Sequence, residues 1–492
     1  MVQGTGSSVG KSAIACALCR ILTQDGFYVA PFKSQNMALN SGVTADGGEM
    51  GRAQVVQAEA ACVEPDVRMN PILLKPEADA QSQVIVLGRP WRVVKAREYY
   101  LYTEELLKVV REALNYLLSS YEVVIIEGAG SPAEVNLRSH EIVNMRIARI
   151  ANSPVILVGD IDKGGVFAQL VGTLSLLSRE ERRYVKGLLI NKFRGDISLL
   201  TPGISILEER TRKKVLGVVP YFHNILIPDE DSIRLGERNG GALDIAVIRF
   251  PHISNSTDFD PLLKERGVRL RYVSFPQEFL SPDLIILPGS KSVAFDLKWL
   301  WKVGLTSQIV QRANAGTPVI GMCGGFQMLG RRIKDPHGVE SSEEDMPGLG
   351  LLDTISIFEP QKLTCQVRGR VFTSRGLLSG MEDVEVEGYE IHMGRTEGAL
   401  PAFRVDRKGN GASLDGALSE DGYILGTYIH GLWDSPDFRF LLLQNLARRK
   451  DLPPLVPSPS FNKEEEFDKL ADLVRQSIDL ETLYDICHLK RK

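Results

Sequence analysis

Short apolar runs, separated by longer stretches of helical periodicity, dominate the first half of the chain. These runs cover residues 27–32, 123–126, 155–158, 187–190 and 215–219. Each run ends in glycine, proline or a polar residue. Runs of this length are typical of strands that are buried on both faces of a sheet. The pattern predicts parallel strands joined by helical crossovers, which is the α/β class of fold.

A second series of the same kind follows a change in composition. Residues 229–242 are first charged and then rich in glycine, which is typical of a linker between domains. The apolar runs beyond this linker cover residues 244–250, 284–287, 319–321 and 423–429. A chain of 492 residues is also too long for one hydrophobic core. We therefore expect two α/β domains, at residues 1–236 and 242–450.

The C-terminal segment, residues 451–492, has a different pattern. Residues 452–459 contain four prolines and cannot lie inside a helix. Asn462 and Glu465 have the spacing of a helix cap. Apolar side chains then recur at helical spacing, at Phe467, Leu470, Val474 and Ile478. We expect this tail to form a helix that packs on one of the domains.

Composition and charge exclude several classes of protein. The chain is 43% apolar and 24% charged, as expected of an ordinary soluble globular protein, and its net charge of −4 does not indicate nucleic acid or an anionic membrane as the main partner. Six cysteines in so long a chain favour a reducing compartment, and Cys16 and Cys19 lie in an apolar helical stretch, where packing explains them. With no signal-peptide pattern at the start, a cytoplasmic location is expected.

A cysteine between glycines is the first candidate for chemistry. The apolar run 318–320 leads into Gly321-Met322-Cys323-Gly324-Gly325. A tight turn between a strand and a helix would present the Cys323 thiol at the end of the sheet, and the helix N-terminus would activate it. The alternative is a buried cysteine near a turn. We favour the nucleophile.

Two histidines are candidates for the base that a cysteine nucleophile requires. His430 ends a strand-like run, 426–429, and is preferred. His392 lies in a less regular segment, and a supporting role near the site is expected for it. Both histidines have the alternative of being ordinary polar residues at strand ends.

The chain opens with a glycine-rich loop that leads into a helical run, 13–22. Such a loop, ending in Gly-Lys-Ser, binds phosphates through backbone N–H groups, the lysine and the hydroxyl. The strand before it spans at most residues 1–3, so either the strand is very short or the true start lies upstream. In the usual phosphate loop, four residues separate the first glycine from the Gly-Lys pair. Here five residues separate Gly4 from Gly10, so the loop is a longer variant. The predicted nucleotide-binding residues are Gly4, Thr5, Gly6, Ser7, Ser8, Val9, Gly10, Lys11 and Ser12.

Polar residues at other strand ends are candidates for the rest of this site, because ligands bind at the carboxyl ends of strands in open α/β sheets. Glu127, Asp160 and Asp162 follow strongly apolar runs, and Asp46 lies in a loop of small residues. Each acid is a candidate for Mg²⁺ or its water, with helix capping as the alternative. Two further candidates are Lys33, for an anionic substrate, and Asn191, for the nucleotide base.

Together these motifs resemble those of the glutamine-hydrolysing cobyric acid synthase family of cobalamin biosynthesis. The resemblance runs through most of the chain and leaves out only the C-terminal tail. It also distinguishes the chain from the related cobyrinic acid a,c-diamide synthases. The matching segments are PFKSQNM (31–37), MNPILLKP (69–76), EGAGSPAE (127–134), DIDKGGVF (160–167), NKFRGD (191–196) and GYEIHMG (388–394).

The resemblance implies a fold and a set of roles. It implies a P-loop domain with a dethiobiotin-synthetase-like parallel sheet, followed by a class I glutamine amidotransferase α/β domain. Cys323 would be the glutaminase nucleophile and His430 its base. Mg²⁺ would bind Ser12, Asp46 and Glu127. The implied substrates are ATP, glutamine and a corrinoid acid, adenosylcobyrinic acid a,c-diamide, whose b, d, e and g carboxylates would be amidated.

One position departs from the wider amidotransferase pattern. A glutamate two residues after the histidine usually orients it, and here that position is Leu432. The site is therefore expected to work as a dyad, or to use another acid such as Asp434 or Glu390.

Two alternatives to this function remain at this point. One is another amidoligase of the same class, including the a,c-diamide synthase. The other is a P-loop ATPase that acts as a switch protein, in which case the amidotransferase domain and Cys323 would be vestigial.

Overall fold

The chain forms two compact units. The computed structural model describes residues 1–78, 81–138, 140–222, 225, 240–408, 411–456 and 462–490. The first unit consists of the described residues within 1–42, 49–233 and 462–492, and the second of those within 43–48 and 234–461. Apart from residues 240–242, the predicted linker lies outside the described residues, as do 457–459 of the proline-rich segment. The domain boundaries given above remain predictions.

The first part of the chain alternates short strands and helices. Its strands are β1 (Val2–Gly4), β2 (Val29–Phe32), β3 (Gln35–Met37), β4 (Ser41–Val43), β5 (Glu49–Gly51), β6 (Ile72–Ala78), β7 (Gln81–Val86), β8 (Arg89–Lys95), β9 (Val123–Ile126), β10 (Val155–Asp160), β11 (Val185–Phe193) and β12 (Lys214–Pro220). Its helices are α1 (Lys11–Gln24), α2 (Arg52–Ala60), α3 (Ala96–Tyr99), α4 (Thr103–Ser120), α5 (Met145–Ile150), α6 (Val166–Leu176), α7 (Glu181–Tyr184) and α8 (Thr201–Thr211).

A parallel sheet is the centre of the first unit. β1, β10, β11 and β12 are hydrogen-bonded in that order, and β2 pairs with β9, all in parallel. A bridge from Val2 to Glu127 joins the two groups, which gives the order β2-β9-β1-β10-β11-β12. The five apolar runs predicted as strands all lie in this sheet, so the prediction of parallel strands is confirmed. A smaller sheet, β3-β6-β7-β8, was not predicted.

The second unit has its own strands and helices. The strands are β13 (Leu243–Ile248), β14 (Ile253–Ser254), β15 (Val268–Val273), β16 (Leu284–Leu287), β17 (Gly289–Ser290), β18 (Val319–Met322), β19 (Arg332–Lys334), β20 (Asp345–Pro347), β21 (Thr354–Val371), β22 (Glu385–Gly398), β23 (Phe403–Arg407), β24 (Gly411–Asp415), β25 (Ala417–Leu418) and β26 (Ile424–Thr427). The helices are α9 (Asp260–Lys264), α10 (Val293–Val303), α11 (Leu305–Asn314), α12 (Gly324–Leu329) and α13 (Pro436–Arg449).

Two sheets make up most of the second unit. The first has the order β15-β13-β16-β18-β26-β25, in which only β25 runs antiparallel to its neighbour. The four apolar runs predicted for this half are β13, β16, β18 and β26, so this prediction is also confirmed. The second sheet, around the long pair β21 and β22, is mostly antiparallel and was not predicted. Buried and exposed residues alternate along parts of β21, so it contains no continuous apolar run.

The chain returns to the first unit at its C-terminal end, with helices α14 (Lys463–Ser477) and α15 (Leu480–Ile486). The Asn462 side chain accepts a hydrogen bond from the Glu464 N–H at 3.0 Å, which confirms the predicted helix cap. Phe467, Leu470 and Val474 are buried in one core with residues of α1 and β12. Among the described residues, no helix combines the length and apolar character that crossing a membrane requires.

Candidate active sites

Cys323 occupies a strained turn between β18 and α12. Its backbone has φ 50° and ψ −108°, a conformation that residues with side chains rarely adopt. The turn is possible because its neighbours are glycines. A Cβ on Gly325 would lie 2.0 Å from the Leu287 carbonyl oxygen, and one on Gly321 would lie 2.7 Å from that of Gly325. The structure therefore contains the predicted turn, with a buried cysteine at its apex.

His430 comes to the same place because it follows the neighbouring strand. β18 and β26 are paired in parallel, and the Cys323 N–H donates to the Thr427 carbonyl at 2.8 Å. The His430 side chain is buried and near enough to Cys323 for the two groups to interact electrostatically, and the Cys323 thiol donates to the Ile391 carbonyl at 3.5 Å. The Tyr389 ring stacks on the imidazole, with 5.4 Å between ring centroids. A thiol and an imidazole held in this way form a nucleophile–base pair.

The acid that orients His430 is Asp258. The Nδ1 of His430 lies 2.7 Å from Asp258 Oδ2, and the Gly431 N–H donates to Asp258 Oδ1 at 3.1 Å. Asp258 is buried in a short 3-10 helix, Ser256–Phe259. Because Nδ1 is engaged by the carboxylate, Nε2 is left for the thiol. The site is thus a Cys–His–Asp series, whereas the sequence offered a dyad or the acids Asp434 and Glu390.

Electrostatics set the charge on this histidine. Burial alone would lower the pKa of His430, but the Asp258 carboxylate and Cys323 together raise the pKa to about 10. The ring therefore carries a proton at neutral pH. A protonated imidazole beside the nucleophile is the group needed to protonate a departing amine.

Glu390, which the sequence offered as the acid for His430, instead binds Arg407 and faces His392. Its carboxylate accepts two hydrogen bonds from Arg407, at 2.7 and 2.8 Å, and faces His392 Nε2 at 3.4 Å. Burial opposes ionisation of Glu390, yet His392 and Arg407 together lower its pKa. The His392 ring stacks on Tyr428 at 3.8 Å. His392 therefore lies beside the site without being the base, since His430 contacts the thiol.

The glycine-rich loop of the first unit is held in place by side chains of α1 and β11. It runs from β1 into α1, with Gly10 at φ 96° just before the helix. Lys11 Nζ donates to the Gly6 carbonyl at 2.8 Å. Asn191 Nδ2 donates to the Val9 carbonyl at 2.9 Å, and Lys192 Nζ contacts both the Ser8 carbonyl and Asp160. The loop is therefore shaped to receive phosphates through its backbone and α1.

Glu127 is a buried hub beside this loop. One carboxylate oxygen, Oε1, accepts from the Ser12 hydroxyl at 2.8 Å and from Lys33 Nζ at 3.0 Å. The other, Oε2, accepts from Gln57 Nε2 at 2.6 Å and from Gln54 Nε2 at 3.4 Å. All five side chains are buried. The structure thus brings together three predicted site residues, Ser12, Lys33 and Glu127.

Two functional candidates of this hub, Gln54 and Gln57, were not found from the sequence. They lie three residues apart on α2, and so on one face of the helix. Gln54 also accepts from Asn36 Nδ2 at 2.9 Å. The available signal was weak, since polar residues are four of the nine in α2, a buried helix that lacks a continuous apolar stripe.

The other predicted site residues, Asp46, Asn191 and Asp162, do not contact the Glu127 carboxylate in the part of the chain that the structure describes. Asp46 is exposed, contacts the Thr44 hydroxyl, and belongs to the second unit rather than to the unit of Ser12 and Glu127. Its role as a metal ligand remains a prediction. Asn191 lies against the phosphate loop, and its role in base recognition also remains a prediction. Asp162 pairs with Arg194 at 2.8 Å.

Comparison with known proteins gives a consistent result for both units. Residues 1–232 match the model of the CobQ/CobB/MinD/ParA nucleotide binding domain, and residues 244–438 match that of the CobB/CobQ-like glutamine amidotransferase domain. A cobyric acid synthase of Dehalococcoides mccartyi is 55% identical over 494 residues, which cover 99% of this chain and 97% of the relative. The chain belongs to the cobyric acid synthase family.

Other relatives in the cobyric acid synthase family span the chain as fully. The cobyric acid synthase of Sorangium cellulosum is 50% identical, covering all of this chain and 99% of its own. The cobyric acid synthase of Moorella thermoacetica is 51% identical, and the match covers all of this chain and 97% of the relative. As a cobyric acid synthase family member, the chain is a glutamine-hydrolysing amidoligase, in which ATP drives an amidation of cobalamin biosynthesis. Because the chain belongs to the cobyric acid synthase family, it is neither a P-loop switch protein nor an a,c-diamide synthase, the alternatives that the sequence had left open.

Proposed function

We propose that the protein converts adenosylcobyrinic acid a,c-diamide into adenosylcobyric acid by amidating its b, d, e and g carboxylates. Each carboxylate would be activated by ATP as an acyl phosphate and would then accept ammonia released from glutamine. The observation that carries this proposal is the series Asp258–His430–Cys323, which gives the second unit a complete nucleophilic site. ATP, glutamine and the corrinoid acid are the proposed partners, without nucleic acid or membrane, in the cytoplasm.

Glutamine hydrolysis follows from the geometry around Cys323. The Cys323 sulfur attacks the side-chain amide carbon of glutamine as a thiolate, with the proton of the pair on His430, and the N–H of Gly324, the next residue in the chain, would stabilise the oxyanion. The carbon–nitrogen bond breaks as His430 passes its proton to the leaving nitrogen, which departs as ammonia. Water then attacks the thioester carbon while His430 takes a proton from it. Glutamate leaves, and the sulfur is released as a thiolate beside the protonated His430.

Carboxylate activation is proposed for the Glu127 site. The substrate oxygen attacks the γ-phosphorus of ATP, the bond to the β-phosphate oxygen breaks, and ADP leaves. Lys11 and the loop N–H groups would neutralise the transferring phosphoryl group. Lys33 would position the substrate carboxylate. Ammonia then attacks the acyl carbon, and phosphate departs as the leaving group.

The residues at this site fit Mg²⁺. The Ser12 hydroxyl and the Glu127 carboxylate are hard oxygen ligands 2.8 Å apart, of the kind that magnesium takes together with water and phosphate oxygens. We propose that these two residues hold the ion, while a role for Asp46 as a ligand remains a prediction from the resemblance. When bound, Mg²⁺ would supply positive charge at the β- and γ-phosphates.

Isotope labelling tests the proposal. The enzyme is incubated with ATP, adenosylcobyrinic acid a,c-diamide and glutamine labelled with ¹⁵N in its side-chain amide, and the product is examined by mass spectrometry. We expect four new amides, each labelled, and the same four without label when ammonium replaces glutamine. A product with fewer amides would contradict the substrate assignment, and no amide from either source would reject the activity.

Replacing Gln57 by leucine is expected to raise the Mg²⁺ concentration for half-maximal amidation about 10- to 100-fold, the usual effect of losing a hydrogen bond that orients a metal-bound carboxylate. The matched control is Gln54→Leu, because its 3.4 Å contact with the same oxygen predicts a smaller change. Binding of Mn²⁺ in the presence of ATP, followed by electron paramagnetic resonance, checks the affinity without turnover. Equal Mn²⁺ affinity in wild type and Gln57→Leu would contradict the role of Gln57.

A further inference from the structure

The two-residue strand β17 lies against the reacting groups of the second unit. A Cβ on Gly289 would come within 3.1 Å of His430 Cε1, and one on Gly324 within 2.8 Å of the Ser290 nitrogen. The Gly325 N–H donates to the Pro288 carbonyl, just before β17, at 3.1 Å. The strand therefore contacts His430 on one side and the turn that follows Cys323 on the other. A shift of β17 would move the walls of the glutaminase site.

β17 cannot hold this place by strand pairing alone. Among the residues that the structure describes, β17 pairs only with β14, and the register consists of two residue pairs, Ile253 with Ser290 and Ser254 with Gly289. Two short strands are at best marginally stable in isolation. The position of β17 must therefore be fixed by other contacts.

Asp296 supplies these contacts from the first turn of α10. Its carboxylate is fully buried. Oδ2 accepts from the Ser290 hydroxyl at 2.6 Å, and Oδ1 lies 3.0 Å from His252 Nδ1 and 3.3 Å from the His252 nitrogen. One carboxylate thus joins the end of β17 to the residue that precedes β14.

The cost of burying a carboxylate argues that Asp296 is more than a packing residue. An apolar side chain would fill the same position without desolvating a charge. The Ser290 hydroxyl also accepts from the Ser292 N–H at 3.0 Å. The Asp296 carboxylate therefore fixes the end of β17, and Ser290 Oγ links that strand to the start of α10.

We propose that Asp296, acting through Ser290, is a positioning residue for glutamine hydrolysis that sets the place of β17 against His430 and Cys323. The inference rests on the proposed roles of Cys323 and His430. Because Asp296 acts on the geometry of the transition state rather than on ATP, its loss affects only the nitrogen-donating half of the reaction.

Single and double substitutions test the inference. We expect Ser290→Ala to lower kcat for glutamine hydrolysis about 10- to 100-fold, as misplaced catalytic groups do, with a smaller change in KM and with ammonia-dependent amidation within twofold of wild type. Asp296→Asn should have a similar effect. Because both variants remove the same hydrogen bond, from Ser290 to Asp296, the double variant should be no worse than the poorer single variant. If Asp296→Asn does not fold, Ser290→Ala alone decides.

Two further variants make the outcomes distinct. Asp244→Asn removes an aspartate that pairs with Arg271 at the opposite end of the sheet, and its kcat should stay near wild type. Cys323→Ser gives the rate of glutamine hydrolysis that remains without the nucleophile. An unchanged kcat in Ser290→Ala, multiplied effects in the double variant, or an equal loss in Asp244→Asn would overturn the positioning role. Glutamine hydrolysis that survives in Cys323→Ser would instead reject the proposed function.

Discussion

Replacing Asp258 by asparagine is expected to lower kcat for glutamine hydrolysis about 10³- to 10⁴-fold, with ammonia-dependent amidation unchanged. The Asp258 carboxylate accepts the His430 Nδ1 proton at 2.7 Å and so selects the tautomer that directs Nε2 to the thiol. An amide can instead present its N–H to Nδ1, which reverses the tautomer while leaving the geometry intact. Steady-state glutaminase kinetics measure the loss.

The pKa of His430 gives an independent check on this variant. Asp258 is a main cause of the increase to about 10, so its neutral replacement should bring the pKa of His430 well down toward the ordinary value, as NMR titration of the ring would show. Asp434→Asn, which alters an acid that the sequence offered for the same role, is the matched control and should stay within about threefold of wild type. A larger loss in Asp434→Asn than in Asp258→Asn would refute the assignment.

Replacing Glu127 by glutamine is expected to lower amidation about 10³-fold with either glutamine or ammonia as nitrogen source. The carboxylate accepts hydrogen bonds from Ser12, Lys33 and Gln57 at 2.6 to 3.0 Å. A neutral amide would remove the negative charge that faces the buried Lys33 ammonium and would be a poor ligand for Mg²⁺. Rates of ADP formation with the corrinoid acid present measure the loss, while glutamine hydrolysis should persist.

A second buried ion pair in the same unit provides the control for Glu127. Glu49 accepts from Lys75 Nζ at 2.7 Å and from the Ser41 hydroxyl at 2.9 Å, and all three side chains are buried. Glu49→Gln should lower the melting temperature about as much as Glu127→Gln, because each change breaks a buried pair. Only Glu127→Gln should abolish amidation. The role of Glu127 is refuted if the two variants lose activity in proportion to stability.

The sequence could predict those parts of the two sites that lie at the ends of apolar runs. Cys323 and Glu127 follow a strand directly, and His430 lies three residues beyond the end of β26, so neighbouring parallel strands bring them into position. Lys33 follows β2 in the same way. The parallel strands were predictable for the same reason, since continuous apolar runs bury both faces of a sheet.

The parts that were missed depend on contacts between distant segments. Asp258 lies 172 residues before His430 in a short 3-10 helix, and nothing in its local pattern marks it as a partner of a particular histidine. The acids that the sequence offers for orienting His430, Asp434 and Glu390, lie close to it in the chain or in the related motif. Gln54 and Gln57 were missed because buried glutamines on a short helix have no spacing signal of their own. The antiparallel strands around β21 were missed because alternating patterns are weaker than apolar runs.

The place of α14 and α15 in the first unit has a consequence for biosynthesis. These helices complete the core around α1, and Arg20 of α1 contacts Asp468 of α14 at 2.7 Å. The ribosome makes them after the whole amidotransferase region. The nascent ATP-binding region therefore cannot finish folding until the amidotransferase region has been synthesised, whereas the amidotransferase region can fold while the ribosome is still elongating the chain.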